Sequence, residues 1–408
     1  MLADSVLPLI RTRAEVWRYG VANAHGRQMH DGVDLLEDAF GAADPAEVYA
    51  VTTKAIASAL KVIARADDSS GIIGDACRRL LDLHSRAAFE ARVPPGRLVA
   101  WMKAFQTNDD VDYFELDVVA YAPALGPRGI ALYRDWLAEV RDALPPVVGD
   151  SLWSGPSAGL RWTLDWNDRR LAVLDHDVDA IIRTHARDRR VAAWYVDTAK
   201  AFEEISEIDL ALDWARQATD FDLGHQARTA SRYWCALVET HRPEEALAAR
   251  EHCFSRWPGS GEASALHRVA GEEWAALEAS VIEALSRDPR EAVGFVLRDL
   301  DDASRAWHLA HSLELEDART WSDLLTAYER VDALATLPVH RRLVTATLES
   351  TGAQHYVEAA RRLRTMRAIA AAGGGAPGVE VDDFIASLRE EHRRRPRLQQ
   401  EFDRAGLP

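Results

Sequence analysis

The feature that most constrains this chain is the spacing of its large apolar residues between positions 192 and 257. In four successive stretches they recur every three or four residues, which is the period of one face of an α-helix. The apolar positions include Trp194, Tyr195, Phe202, Trp214, Ala218, Trp234, Leu237, Phe254 and Trp257. Alternate stretches begin roughly 35 residues apart, close to the period of a two-helix repeat. The pattern predicts an all-α fold, an α-solenoid of stacked, tetratricopeptide-like helical hairpins.

Breaks in the helical pattern predict the domain organisation. Residues 1–144 form a predicted N-terminal helical domain, and residues 145–159, rich in proline and glycine, a linker. The hairpin solenoid is predicted to span residues 160–372. A glycine-rich joint then leads to a C-terminal helical segment at residues 379–408. We therefore expect at least two helical bodies joined by flexible segments.

Helix starts have a recognisable signature in three places. Asp44-Pro45 and Asp288-Pro289 each place an aspartate where its side chain can cap a helix and a proline at the first helical position. The run Ser206–Asp209 resembles a capping box, in which a serine caps the following helix. The sequence therefore predicts helices beginning immediately after Asp44, Ser206 and Asp288.

Composition restricts the partners and the compartment. The formal net charge of −16 argues against broad contact with a nucleic-acid backbone, which needs clustered lysine and arginine. Three cysteines make neither a disulfide framework nor a zinc-finger spacing. No apolar run is long enough for a membrane span, and the first residues lack the basic region of a signal peptide. We expect a cytoplasmic protein without a cofactor and without a membrane partner.

Aromatic and acidic residues of the hairpin stretch suggest a protein-binding surface. Most of the thirteen tryptophans lie within amphipathic stripes, where packing between helices is their simplest role. The alternative is an aromatic groove, for which Trp194 and Trp214 are the candidates. Glu203, Glu204 and Glu207 belong to a run without basic residues, and such a surface attracts a basic partner. The leading hypothesis is therefore a non-enzymatic scaffold that binds a protein or peptide.

Two acidic turns in the N-terminal half support a second hypothesis. Asp67 and Asp68 precede one predicted helix, and Asn108, Asp109 and Asp110 occupy a later turn. Capping of the next helix is the simplest role for such residues. If the two turns were adjacent, however, their oxygen ligands would suit a divalent metal. The alternative function is thus a metal-dependent enzyme or a metal-binding regulator.

Other motifs give weaker predictions. Gly155–Gly159 matches the G-x-S-x-G pattern, but a nucleophile elbow needs a strand before the serine, and none is predicted. His308 and His311 lack a third metal ligand at a fixed spacing. Cys235 and Cys253 lie on apolar stripes, which favours buried thiols over zinc ligands.

Basic residues are concentrated late in the chain, and they suggest a third hypothesis. A nucleic-acid-associated function would use these C-terminal clusters, and its binding would depend steeply on salt. The arginines in question are Arg361, Arg362, Arg364 and Arg367, followed by Arg389, Arg393, Arg394, Arg395 and Arg397.

Short motifs in both halves of the chain resemble known families. Asp67-Asp68-Ser69-Ser70-Gly71, Asn108-Asp109-Asp110 and Leu125-Gly126-Pro127 occur in the order seen in an uncharacterised bacterial all-helical family. Trp321–Leu325, Gln354–Ala360 and the run from Phe384 to Pro396 resemble the tetratricopeptide-like helical region that accompanies SWIM zinc fingers. The C-x-C and C-x-H ligands of that finger are absent. The resemblance therefore implies a helical scaffold without the finger's zinc or nucleic-acid role.

Overall fold

The computed structural model describes residues 1–108, 114–145, 157–373 and 376–408. Within these ranges the regular secondary structure is entirely helical and contains no strand, so the all-α prediction is confirmed. The chain divides into two compact units, Met1–Tyr233 and Trp234–Pro408. No helix of the described ranges is long and apolar enough to cross a membrane.

The first unit contains the helices that build the candidate site. In chain order they are α1 (Leu2–Ile10), α2 (Tyr19–Asp38), α3 (Pro45–Ile63), α4 (Ile72–Glu90), α5 (Pro95–Gln106), α6 (Val118–Ala143), α7 (Ala158–Leu174), α8 (Val178–His185), α9 (Ala192–Glu204) and α10 (Ile208–Asp220). α11 (His225–His241) spans the boundary between the two units.

The second unit continues the pattern of short helices joined by short connections. Its helices are α12 (Ala246–Arg256), α13 (Ser260–Ala270), α14 (Trp274–Leu285), α15 (Pro289–Arg298), α16 (Ala303–Ser312), α17 (Ala318–Asp332), α18 (Leu337–Glu349), α19 (Ala353–Gly373), α20 (Ala376–Glu391) and α21 (Pro396–Arg404). Neighbours pack in pairs, α12 on α13, α15 on α16 and α18 on α19. α15 also contacts both α13 and α17.

Aspartates begin several of these helices. The carboxylate of Asp44 accepts a hydrogen bond from the Ala46 amide at the start of α3, and Asp288 does the same for Arg290 at the start of α15. Each satisfies one of the amides that a first helical turn leaves without a partner. Both predicted caps are therefore confirmed.

The predicted capping box at Ser206 is wrong. Ser206 has a positive φ of 64°, and the helix that follows begins after Glu207. The Ser206 amide donates to the Glu203 carbonyl and the Glu207 amide to the Phe202 carbonyl, which is the pattern of a Schellman motif. Ser206 therefore ends α9 instead of capping α10.

The core of the first unit extends beyond the predicted N-terminal domain. Leu164 and Leu171 of α7 are buried in the same apolar cluster as residues of α1 to α6. The division between the units comes later than the predicted linker at 145–159, of which residues 146–156 lie outside the described ranges. Of the predicted glycine joint, Gly374 and Gly375 are likewise outside them.

Candidate functional site

The first unit has a concave surface between α3 and α5. Its volume is about 500 Å³. α3 packs on α1 and α4, whereas α5 packs on α6, and the two walls do not pack closely on each other. We call this surface the α3–α5 groove; its lining residues are Thr53, Ile56, Ala57, Leu60, Lys61, Ala64, Trp101, Ala104, Phe105 and Asn108.

Two features of α5 and α6 place the second wall. A Cβ at Gly129 of α6 would lie 3.2 Å from the Cβ of Pro95, so the glycine allows the first turn of α5 to approach α6 closely. α6 also departs from helical geometry at Gly126, with φ 57° and ψ 179°, immediately before Pro127. Proline disfavours the helical conformation of the preceding residue, which explains the kink.

His84 of α4 supports the floor of the groove. Its imidazole is fully buried and stacks on the indole of Trp101 with ring centroids 3.9 Å apart. Nε2 lies 3.1 Å from the Thr53 hydroxyl, and Nδ1 lies 2.9 Å from the Tyr121 hydroxyl. Trp101 is therefore held from behind by a ring that is itself fixed at both nitrogens.

The direction of these hydrogen bonds follows from the Thr53 hydroxyl. It donates to the Tyr49 carbonyl at 2.8 Å, so it accepts from Nε2–H of His84, and Nδ1 then accepts from Tyr121. Burial lowers the pKa of His84 to about 3, because the imidazolium would lose its hydration. The imidazole is neutral near pH 7 and both nitrogens are engaged, so its role is to position Trp101.

The groove carries basic residues in an acidic protein. Three of the four lysines in the chain lie on α3 and α5, but Lys103 lies outside the groove lining, with its ammonium 5.8 Å from the Trp136 ring centroid. Lys61 lines the groove, and Lys54 is exposed two turns before it on α3. Arg97 is exposed one turn before Trp101 on α5. Their only acidic neighbour on these two helices, Glu47, accepts a hydrogen bond from the Leu2 amide at 3.1 Å.

A second cavity of about 300 Å³ lies nearby and differs in character. Its lining includes Asp82, Asp117 and Trp166. Burial, with a smaller contribution from the charge of Asp117, raises the pKa of Asp82. Asp117 is bound by the guanidinium of Arg170, and the Trp166 indole donates to the Leu116 carbonyl at 2.8 Å. Much of this cavity's polar surface is therefore already engaged within the protein.

The first acidic turn supplies helix caps. The carboxylate of Asp68 accepts hydrogen bonds from the Ile73 amide at 2.9 Å and the Gly74 amide at 2.8 Å, at the start of α4. Asp67 accepts from the Ser69 amide at 3.3 Å. Across residues 1–108, 114–145, 157–373 and 376–408, no group of three or more His, Cys, Asp or Glu side chains is placed to hold a metal ion.

The second acidic turn is described only at its first residue. Asn108 lies at the end of the α3–α5 groove and is exposed. Asp109 and Asp110 lie outside the described residues. Of the described members of the predicted metal set, Asn108 alone lines the candidate site.

The aromatic candidates of the hairpin stretch lie mainly inside it. Trp214 is 6 % exposed, and its ring centroid is 5.3 Å from that of Tyr195. Trp194 is half-buried, with the Arg187 guanidinium 5.5 Å from its ring centroid. Packing between α9 and α10 therefore accounts for Trp214, and a cation–π contact accounts for part of the Trp194 surface.

Two of the predicted acidic candidates have partners within the first unit. Glu203 accepts a hydrogen bond from the Tyr233 hydroxyl at 2.8 Å, and Glu204 forms an ion pair with Arg170 at 2.6 Å. Glu207 is exposed and is the N-cap residue of α10, without a side-chain hydrogen bond to that helix. The run therefore contributes to internal contacts as well as to the surface.

Most of the late arginines also bind within their own unit. Arg362 pairs with Glu358 at 3.0 Å, Arg367 with Asp382 at 2.9 Å and Arg389 with Asp403 at 2.8 Å. Arg395 donates to the Leu348 carbonyl at 2.7 Å. These contacts link α19 to α20, α20 to α21 and the start of α21 to α18, and they give the clusters a structural role.

The cysteines predicted as buried thiols are buried. The sulfurs of Cys235 and Cys253 lie 3.3 Å apart between α11 and α12. Hydrogen bonding to Cys253, followed by burial, raises the pKa of Cys235. The Cys235 thiol therefore stays protonated near neutral pH. Of the G-x-S-x-G pattern, Gly155 and Pro156 lie outside the described residues, and Ser157 directly precedes α7 without capping it.

The sequence interpretation missed the α3–α5 groove, although one signal for it was present. Lys54, Lys61 and Lys103 concentrate the rare lysines on two helices that also carry Trp101 and Phe105. In a chain with a net charge of −16, this local excess of positive charge marks a surface that differs from the rest.

Comparison with known proteins identifies a family without an assigned activity. No curated protein matches the chain. Residues 22–398, which include the whole α3–α5 groove and nearly all of the second unit, match a family of unknown function, DUF6880. The match extends over far more than half of the chain, and the chain therefore belongs to this family of unknown function, DUF6880.

Proposed function

We propose that the protein is a non-enzymatic helical scaffold that binds a segment of a partner protein in the α3–α5 groove. The observation that carries the proposal is an open, largely apolar surface of about 500 Å³ whose aromatic anchor, Trp101, is fixed from behind by His84. Grooves that accept an amphipathic helix combine such an apolar floor with a charged edge. A tryptophan in a preformed pocket is also typical of an interface hot spot.

Features of the second unit support a scaffold role. α15 contacts α13 and α17 as well as its neighbour α16, the order of contacts expected for stacked tetratricopeptide-like hairpins. The similarity of Trp321–Leu325 and Gln354–Ala360 to the helical region that accompanies SWIM zinc fingers points the same way. We propose that this unit forms the solenoid part of the scaffold.

The test fills the groove with neutral side chains. Ala57 and Ala104 are exposed alanines that line opposite walls, and glutamine is a good helix former, so Ala57→Gln with Ala104→Gln leaves folding intact. Helical peptides are selected on the wild-type protein from an unbiased display library and then measured on the variant. We expect their affinity to fall about tenfold or more, because the floor is no longer accessible.

Ala131→Gln is the matched control, since Ala131 is exposed on α6 and does not line the groove. Peptides that bind the filled variant as tightly as the wild type would place the interaction elsewhere. A selection that enriches no peptide would also count against the proposal.

A further inference from the structure

We propose that the occupant of the α3–α5 groove is an acidic amphipathic helix, about three turns long, carried by a partner protein. This inference rests on the proposed function and adds the chemistry of the partner. It is drawn from the charge of the rim, the spacing of the basic residues and the length of the apolar floor.

Among the described residues, the basic side chains of the rim have no counter-charge. Lys54, Lys61 and Arg97 are exposed, and within the described part of the chain none of them forms an ion pair. Many of the protein's arginines, by contrast, pair with an aspartate or glutamate, as Arg170 does with Asp117 and Glu204. In a protein with a net charge of −16, basic residues that surround an apolar groove and pair with no described residue are complementary to an acidic ligand.

The spacing of the basic residues suits a helical ligand. Lys54 and Lys61 are seven residues apart, so they lie on the same side of α3 and about 10 Å from each other. Arg97 lies on the face of α5 that carries Trp101 and Ala104, because the three positions are separated by four and three residues. Acidic residues repeated every one or two turns along a docked helix would face both walls.

The floor sets the length of the ligand. On α3 the lining runs from Thr53 to Ala64, which corresponds to about 16 Å of helix. Ala57, Ala64 and Ala104 have small side chains, so the ligand backbone can approach the groove. Trp101 and Phe105 provide aromatic surface for its larger side chains. A ligand with apolar residues on one face and glutamates or aspartates on its flanks fits all of these features.

A nucleic acid is also acidic, but the groove fits it less well. Few cations surround a mainly apolar floor, whereas stable phosphate-backbone binding uses many lysines and arginines. The experiment therefore includes duplex DNA as a competitor, and displacement of the peptide by DNA would overturn the proposal.

The test compares three synthetic helical peptides of about 14 residues with one common Leu/Phe face and flanks of glutamate, glutamine or lysine. Binding to the full chain is measured by fluorescence anisotropy at about 150 mM salt, where distant charges are screened and adjacent ones still interact. We expect the glutamate peptide to bind about tenfold more tightly than the glutamine peptide, and the lysine peptide most weakly. At about 1 M salt we expect the glutamate peptide to bind only about twofold more tightly than the glutamine peptide.

Two charge reversals identify the residues responsible. Lys61→Glu is expected to lower the affinity for the glutamate peptide about tenfold and to raise the affinity for the lysine peptide. Lys200→Glu is the matched control, because Lys200 is the one lysine of the chain outside the two wall helices and is also exposed. It leaves all three affinities within about twofold of wild type.

The outcomes separate this inference from the function on which it rests. If the glutamine and glutamate peptides bind equally and both are blocked by Ala57→Gln with Ala104→Gln, the groove binds partners but has no preference for acids. If binding is insensitive to the filled groove, both proposals are wrong. Tightest binding by the lysine peptide, or no binding by any of the three, also contradicts the inference.

Discussion

The α3–α5 groove and the α9–α10 hairpin are built from similar residues but present them differently. Each has a tryptophan between two helices, Trp101 in the groove and Trp214 in the hairpin. In the hairpin, α9 and α10 pack directly on each other, Trp214 is 6 % exposed, and the Arg189 guanidinium lies 5.2 Å from its ring centroid. In the groove the walls stand apart, and Trp101 stays half-buried with only one face stacked on His84.

The charges of the two regions differ in the same way. Glu204 of the hairpin is held by Arg170, which also binds Asp117 through two hydrogen bonds of 2.8 and 2.9 Å. Lys54 and Lys61 beside the groove are exposed and form no ion pair with the described residues. Aromatic density alone therefore does not identify an interaction surface; aromatic residues combined with unpaired charge are the more specific signal.

The largest expected difference between the regions is in the response to removing each tryptophan. Trp214→Ala leaves a cavity between two packed helices, and we expect the free energy of unfolding to fall by about 3–5 kcal/mol. Trp101→Ala removes a partly exposed ring at the open groove, with an expected loss of about 1–2 kcal/mol. Urea unfolding followed by circular dichroism measures both.

The opposite result is equally informative. If Trp101→Ala were the more destabilising change, the main role of Trp101 would be packing in the core. The groove would then be a packing defect and not a binding surface. In peptide binding we expect the reverse order, because Trp101 lines the groove and Trp214 does not.

A second prediction concerns pH and the support beneath the groove. Burial lowers the pKa of His84 in the folded protein to about 3, well below its unfolded value of about 6.5. The unfolded chain therefore binds a proton first as the pH falls. The contribution of His84 is fully present above pH about 6.5 and is lost progressively as the pH approaches about 3. The loss amounts to about 1.4 kcal/mol per pH unit, or roughly 3 kcal/mol at pH about 4.

His84→Gln isolates this contribution, because an amide can donate to Thr53 and accept from Tyr121 without titrating. Unfolding free energies measured from pH about 7 to about 4 should fall less steeply in the variant than in the wild type. His185, whose pKa burial lowers to about 4, adds a loss in the same direction to both proteins. Identical pH profiles would mean that His84 is not held neutral by its surroundings.

Local sequence signals predicted much of the fold. The helical class followed from the apolar period, and Asp44 and Asp288 cap helices as their Asp-Pro patterns indicate. The predicted cap at Ser206 was wrong because serine occurs at either end of a helix. Its positive φ is set by the end of α9, which depends on how that helix packs and not on the following four residues.

The site was less accessible to sequence reasoning. A groove forms where α3 and α5 pack on different neighbours, and no local pattern determines that separation. The partners of the charged residues also depend on tertiary packing. Glu204, for example, pairs with Arg170, which lies 34 residues away in the sequence. What the sequence does contain is the distribution of lysine, and that signal was visible without any structure.

The smallest expected effects come from removing one basic residue in each region. Arg170→Ala would leave Asp117 and Glu204 close together without their shared cation, and we expect a loss of about 1–3 kcal/mol in stability. Lys61→Ala removes an exposed side chain that pairs with no described residue, so the change should stay within about 0.5 kcal/mol. The same urea titrations compare the two, with Arg170→Met as a control that keeps the packing of the side chain's stem. If Lys61→Ala lowered the free energy of unfolding as much as Arg170→Ala, Lys61 would stabilise the fold. Its charge would then no longer support the presence of a binding partner.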